Sequence, residues 1–267
     1  RNEAKLCGTG AVTANGGVFV EAWLTTGAPV ELYGLNVGAA NVGVGTLVSL
    51  NRARNLATVE GGTIRAGELQ AKAQVDPTDN ASIASVDFWQ GAGSLVGVGV
   101  NVAVAYARVE NAAIAGAQTM EIDGALRVLS DGTANAKANI ANIVDMGGIA
   151  VGVMTGYAYT QGSFTAKLSL PAGATLRAGS VDVAAEPVVH ADAVVEPSLG
   201  GVSLVAANVK VNIAIASVST HVAAAIERAG DGALPQVVVS GKGAGAEDAV
   251  GVRADLNAGA DAKGTAA

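Results

Sequence analysis

An all-β chain of stacked, parallel modules is what the sequence predicts, and three observations predict it. The first is an internal echo. Thr63-Ile64-Arg65-Ala66-Gly67 returns as Thr175-Leu176-Arg177-Ala178-Gly179, displaced by 112 residues, with Met120-Glu121-Ile122-Asp123-Gly124 in a similar position between them. The repeat is thus about 56 residues, a unit that buries its face against the next copy. The second is strict apolar alternation with no competing helical period. The third is composition: 50% of residues are hydrophobic but 3% are aromatic, with 36 glycines, so the core must be thin and filled by small and β-branched side chains.

Each element follows from local pattern. Val96, Val98, Val100, Val102 and Val104 alternate with Gly97, Gly99, Asn101, Ala103 and Ala105, which reads as one long strand. Glycines and β-branched residues together disfavour a helix there. Val209, Val211, Ile213 and Ile215, alternating with Lys210, Asn212, Ala214 and Ala216, repeat the theme, and Asn101 and Asn212 share one context. Valine and small residues are expected to fill the shaft. Gly93-Ser94-Leu95, Gly147-Gly148-Ile149 and Gly200-Gly201-Val202 read as turns feeding strands. Ser94-Leu95-Val96 matches Ser203-Leu204-Val205, and two extra residues before Asn212 keep the faces in phase. Leu126-Arg127-Val128, Val181-Asp182-Val183 and Val237-Val238-Val239 form a second strand series, each after a turn candidate: Asp123-Gly124, Ala178-Gly179, and Asp231-Gly232 with Pro235.

Prolines are expected mostly in loops, as in Asp76-Pro77 and Glu196-Pro197. Thr220 to Arg228 is the one helix-like stretch; a strand is expected, because its counterpart near Val109 to Ala117 is interrupted by Gly116. Modules then run roughly 34–92, 93–147, 148–200 and 201–256, with partial flanking pieces and a loose Gly/Ala-rich tail from Gly241. The fold expected is a β-solenoid, parallel β-helix-like, whose sheet ends stay open unless capped. A β-sandwich of two Greek keys is the alternative.

Chemistry is sparse. Net charge is −7 with no Lys/Arg cluster, which argues against nucleic acid and anionic lipid as partners. Leu95 to Ala107 is too short and too rich in Gly and Asn to insert in a membrane as a helix. The start at Arg1 rather than Met reads as a piece of a longer chain. His190 and His221 are the two histidines; Asp192 could orient the first, but they read as surface or groove residues, and with remote Cys7 they supply no metal ligand set. Cys7 has no nearby base and reads as a free, inert thiol. Gly97-Val98-Gly99 lacks the third glycine and helix of a dinucleotide loop. Asp182, Glu186, Asp192 and Glu196 could line one flank of a polysaccharide-active site, yet solvated charges explain them equally. No catalytic, cofactor-binding or metal residue is therefore expected. Trp89, Tyr157 and Tyr159 are the weak candidates for surface or glycan contact, with Phe88-Trp89 otherwise closing a wide spot in the core.

Gly97-Val98-Gly99-Val100-Asn101-Val102-Ala103-Val104-Ala105, then Asn111-Ala112-Ala113-Ile114, then the turn-and-strand of residues 176–183 resembles the repeat region of giant bacterial filamentous adhesins of the leukotoxin type. The resemblance spans nearly the whole chain and lies in pattern more than in unique motifs. Met154 to Tyr159 departs from it, with Gly156 and tyrosines breaking the valine alternation. The resemblance implies an exported β-solenoid stalk, extracellular or on a bacterial cell surface, with no catalytic residue to carry over. The function expected is that of a structural or adhesive filament segment, not an enzyme. Its partners would be itself, neighbouring repeats or a host or cell-surface receptor. A carbohydrate-binding or polysaccharide-degrading solenoid is the alternative.

Overall fold

The computed structural model describes residues 1–78, 82–146, 149–196, 207–241 and 249–265. Ten strands follow in order: β1 Asn2–Leu6, β2 Ala11–Thr26, β3 Ala28–Pro77, β4 Ala84–Met146, β5 Ile149–Pro171, β6 Thr175–Glu196, β7 Ala207–Ala229, β8 Gln236–Val239, β9 Val250–Ala254 and β10 Asn257–Gly264. They form one sheet of long parallel strands curled into half a barrel. β1, β3, β4, β5 and β7 are successive neighbours; β2 pairs with β3, and β6 pairs with β4 on one side and with β8, β9 and β10 on the other.

The register carries the sequence period directly. Ala28 pairs with Ala84, and Thr63 with Thr119, a step of 56 residues held through Ala66. Thr119 pairs in turn with Thr175, so the echoing segments and the Met120 segment between them occupy one column. Asn101 pairs with Met154, and Met154 with Asn212, which puts the two matching asparagines in one column two strands apart. Thr220 to Arg228 lies inside β7, as the interrupted counterpart implied.

A straight strand of 63 residues would extend about 200 Å. Instead β4 turns back on itself. Asn111 Nδ2 donates to Ser130 Oγ at 3.1 Å and to the Asp131 carbonyl at 2.8 Å, residues 19 and 20 positions further on. The chain therefore runs out, bends, and returns with its two legs facing. Gly116 lies at the bend; a Cβ there would run into the Ser169 carbonyl of the neighbouring strand, so only glycine permits that approach.

The core changes thickness along the legs. Around the bend, Leu69, Met120, Leu126, Leu168 and Leu176 fill it. Further along, Ala103, Ala105, Ala134, Ala136, Ala191 and Ala193 are fully or almost fully buried, interspersed with larger side chains such as Ile83, Phe88, Ile140, Phe164 and Val195. Alanine gains little per residue on burial, so the opposed legs must come close to gain any packing.

The expected filling holds for the small residues but fails for part of the alternating valine run. Val96 and Val98 are 46% and 43% exposed, while Ala103 and Ala105 are at 0%. On this strand the small face points inward, and the valines that do fill the same core, Val86, Val189 and Val195, come from other stretches of the sheet. Gly45 illustrates the fit: a Cβ there would lie 2.7 Å from the Phe88 ring. Gly156, where the third module departs from the alternation, is similar, with Val195 at 3.0 Å from its Cβ position.

Polar groups cross this thin core as a ladder. Asn2 Nδ2 donates to Asn55 Oδ1 at 2.9 Å, and Asn55 Nδ2 donates to Asn111 Oδ1 at 3.0 Å. Asn55 also donates to the carbonyls of Ala22 (2.8 Å) and Gln74 (2.9 Å), and Asn111 to that of Ala73 (2.8 Å). Asn55 and Asn111 are each only 1% exposed, and their amides link successive strands while tying facing legs together. Phe164 occupies the next position in the column and ends the ladder.

Other expectations need correction. Gly93 to Leu95 is continuous strand inside β4, not a turn. Asp123-Gly124 and Ala178-Gly179 also lie inside strands, where the register shifts between Ile122 and Ala125. Such an irregularity bends a strand without ending it. Val237 does not continue the Leu126 and Val181 series: it pairs with Leu176, and Val181 pairs with Val250. Pro29, Pro77 and Pro171 sit at strand ends and Pro187 inside β6, paired with Gly132, rather than in loops. Much of the tail expected to be loose is β9 and β10, both paired to β6. Gly147-Gly148, Pro197, Gly200-Gly201-Val202 and Ser203-Leu204-Val205 lie outside the described residues.

Candidate functional site

The aromatic candidates sit on the outer surface as stacked pairs. Trp89 stacks on Tyr33 of the adjacent strand with centroids 6.3 Å apart, and Tyr159 stacks on Tyr106 at 5.1 Å. Phe88 is buried at 3%, so that residue alone closes the core; Trp89 faces outward. Tyr157 is exposed and shares the outward face with Tyr159. The Glu31 carboxylate, which accepts a hydrogen bond from the Tyr33 hydroxyl at 3.3 Å, holds that phenol above its ordinary pKa. The aromatics form two separate ladders and do not converge on one cleft.

The outer surface divides by charge. On the outgoing legs, Val42, Val44, Val98, Val151, Val211 and Ile213 stand exposed on four successive strands. The paired positions Val44, Val100, Val153 and Val211 run straight across this face, and no charged residue shares it between 42 and 50, 96 and 104, or 151 and 157. Ionic groups gather near the bend and on the returning legs. Arg65 pairs with Glu121 at 2.7 Å, Lys167 with Glu227 at 3.0 Å and Lys263 with Glu196 at 3.0 Å. These are exposed or half-exposed pairs between neighbouring strands, each worth about 0–1 kcal/mol.

The four carboxylates considered for catalysis stand on one face of β6, and each has a basic neighbour. Arg253 reaches both Asp182 and Glu186 at 3.3 Å, Lys263 reaches Glu196, and Asp192 accepts from His190 at 3.0 Å. They are strand positions rather than loops. A groove of about 490 Å³ beside Asn111 contains one carboxylate, Glu110, already 2.7 Å from Arg108; His221, Gln161 and Ser163 line its other side. A glycosidase pair flanking a single bond is therefore not assembled in that groove. Cys7 is exposed and free. Among the described residues no helix is long and apolar enough to cross a membrane.

One carboxylate is strained by its surroundings. Burial raises the Asp131 pKa, against the lowering effect of Lys72 Nζ at 3.3 Å, and its Oδ1 has no hydrogen-bond partner. No family model, curated protein or solved structure matches this chain.

Sequence reasoning missed three features. The asparagine ladder carried a visible signal, since Asn55 and Asn111 lie one period apart. The outward valine face had none, because alternation says that two faces differ but not which is buried. The approach of Asp261 to His190 had none either, because β6 and β10 are offset by 69 residues rather than 56.

Proposed function

We propose that this chain is a structural segment of an exported bacterial surface filament, built as a β-solenoid whose turns are the repeats of about 56 residues. The observation that carries the proposal is the uncharged valine and isoleucine face spanning four successive strands. Monomeric soluble proteins rarely leave so continuous an apolar face open to water. The occupant we assign to it is a second copy of the chain, packed side against side. The face lacks the charge needed to recognise an ionic partner, and among the described residues the outer edge of β7 pairs with no further strand, which adds a route to end-to-end growth. Mechanical continuity follows from the parallel ladders, since pulling the ends apart must break many backbone hydrogen bonds together. The filament adhesin resemblance supports the same reading and an extracellular or cell-surface location, where a host receptor would be a further partner.

Sedimentation velocity at rising protein concentration tests the proposal. Wild type should associate, and more so in sulfate salts, which strengthen apolar burial. Val98→Lys with Val211→Lys places charge on the face without touching the core, and should keep the chain monomeric. A wild type that stays monomeric at every concentration, or a double variant that associates equally well, would overturn it.

A further inference from the structure

His190, Asp192 and Asp261 converge on one point, and the three ligand atoms lie within 4.8 Å of one another. Asp192 Oδ1 is 3.0 Å and Asp261 Oδ2 3.2 Å from the same nitrogen, His190 Nε2. That nitrogen carries at most one proton, so it cannot satisfy two carboxylates with two separate hydrogen bonds. The register makes the conflict sharper: Asp261 of β10 pairs with Asp192 of β6, and like charges on facing positions repel.

The imidazole is directed there by its other neighbour. Gly259 pairs with His190, and a Cβ at Gly259 would lie 2.7 Å from Nδ1 and 2.8 Å from Cε1. The ring thus rests against bare backbone on its Nδ1 side and turns Nε2 toward the carboxylates. Ligand atoms about 2.1 Å from a tetrahedral ion stand about 3.4 Å apart. The two observed separations from Nε2 are within a few tenths of an ångström of that value.

We propose that His190, Asp192 and Asp261 bind a divalent transition ion of the zinc class, with water completing the shell, and that the ion staples β10 to β6. One imidazole with two carboxylates suits zinc or cobalt better than calcium or magnesium, which favour all-oxygen shells. The staple answers a structural need. β10 reads Asn-Ala-Gly-Ala-Asp-Ala-Lys-Gly, almost wholly exposed, with little apolar area to offset the entropy of ordering eight residues. Lys137, the register partner of Asp192 on β4, is a cation beside the cluster and opposes the ion, whereas Lys263, two residues beyond Asp261, is held by Glu196 at 3.0 Å.

The test titrates the intact chain with Co²⁺, read by visible absorption, and with Zn²⁺, read by hydrogen exchange of residues 257–264. Wild type should bind one ion and slow exchange in β10. His190→Ala and Asp261→Asn should each weaken binding at least about tenfold and lose the exchange protection, with far-UV circular dichroism unchanged. Lys137→Met should tighten binding, and His221→Ala should leave it as in wild type. A wild type that takes up neither ion would overturn the proposal, as would His190→Ala or Asp261→Asn variants that bind like wild type. The outcome is independent of whether the chain forms filaments.

Discussion

Replacing Asn111 with alanine probes what holds the facing legs together. The side chain is 1% exposed. Its amide donates to the carbonyls of Ala73 and Asp131, both at 2.8 Å, and its Oδ1 accepts from Asn55 at 3.0 Å. An amide has two N–H groups, so the longer contact to Ser130 Oγ shares one of them and is not counted separately. Three bonds at about 1 kcal/mol net each give a loss of about 3 kcal/mol. Asn111→Asp should be worse than Asn111→Ala. It would aim a buried carboxylate at two carbonyl oxygens, and an uncompensated buried charge costs about 3–5 kcal/mol. Asn2→Ala, at the half-exposed end of the ladder, should cost about 1 kcal/mol or less. Urea unfolding followed by far-UV circular dichroism measures the shifts, and hydrogen exchange in residues 107–117 reports local opening if repeats unfold separately. The reasoning fails if Asn111→Ala stays within about 0.5 kcal/mol of wild type. It fails equally if Asn111→Asp is no worse than the alanine variant.

Two further outcomes follow from single residues. Gly116→Ala should destabilise by about 1–3 kcal/mol or more, because its methyl group meets the Ser169 carbonyl, whereas Gly10→Ala, with open space around it, should be close to neutral; thermal melts of both compare them directly. Asp131 sets a pH dependence. Burial raises its pKa in the folded state, so the folded chain holds that proton more tightly than the unfolded chain does. Its contribution to stability is present below the unfolded value and is lost as pH rises through the raised folded value. Asp131→Asn should remove that slope and be no less stable at neutral pH; urea midpoints across the carboxylate range would show an unchanged slope if the argument is wrong.

The candidate site was only partly legible. Trp89, Tyr157 and Tyr159 do face outward, but Trp89 and Tyr159 stand in two separate stacked pairs and Tyr157 in neither, because parallel register puts neighbouring-strand positions side by side instead of gathering distant ones. The β6 carboxylates could be read as a group from their spacing, while their partners Arg253 and Lys263 could not. Those partners come from beyond a connection that breaks the period, where the offset grows from 56 to 61 at Val237 and to 69 at Val250.

Periodicity alone determined that the chain is β throughout and that Thr63, Thr119 and Thr175 share a column, because a parallel ladder converts a constant step in sequence into adjacency in space. Tertiary structure decided which side of each strand is the inside. An alternating strand reads the same with its faces exchanged, so valine against alanine is undetermined until a second leg approaches. The bend at Gly116 brings that leg close, and on the alternating strand it is the alanine face that turns in, while Val96 and Val98 are left facing water.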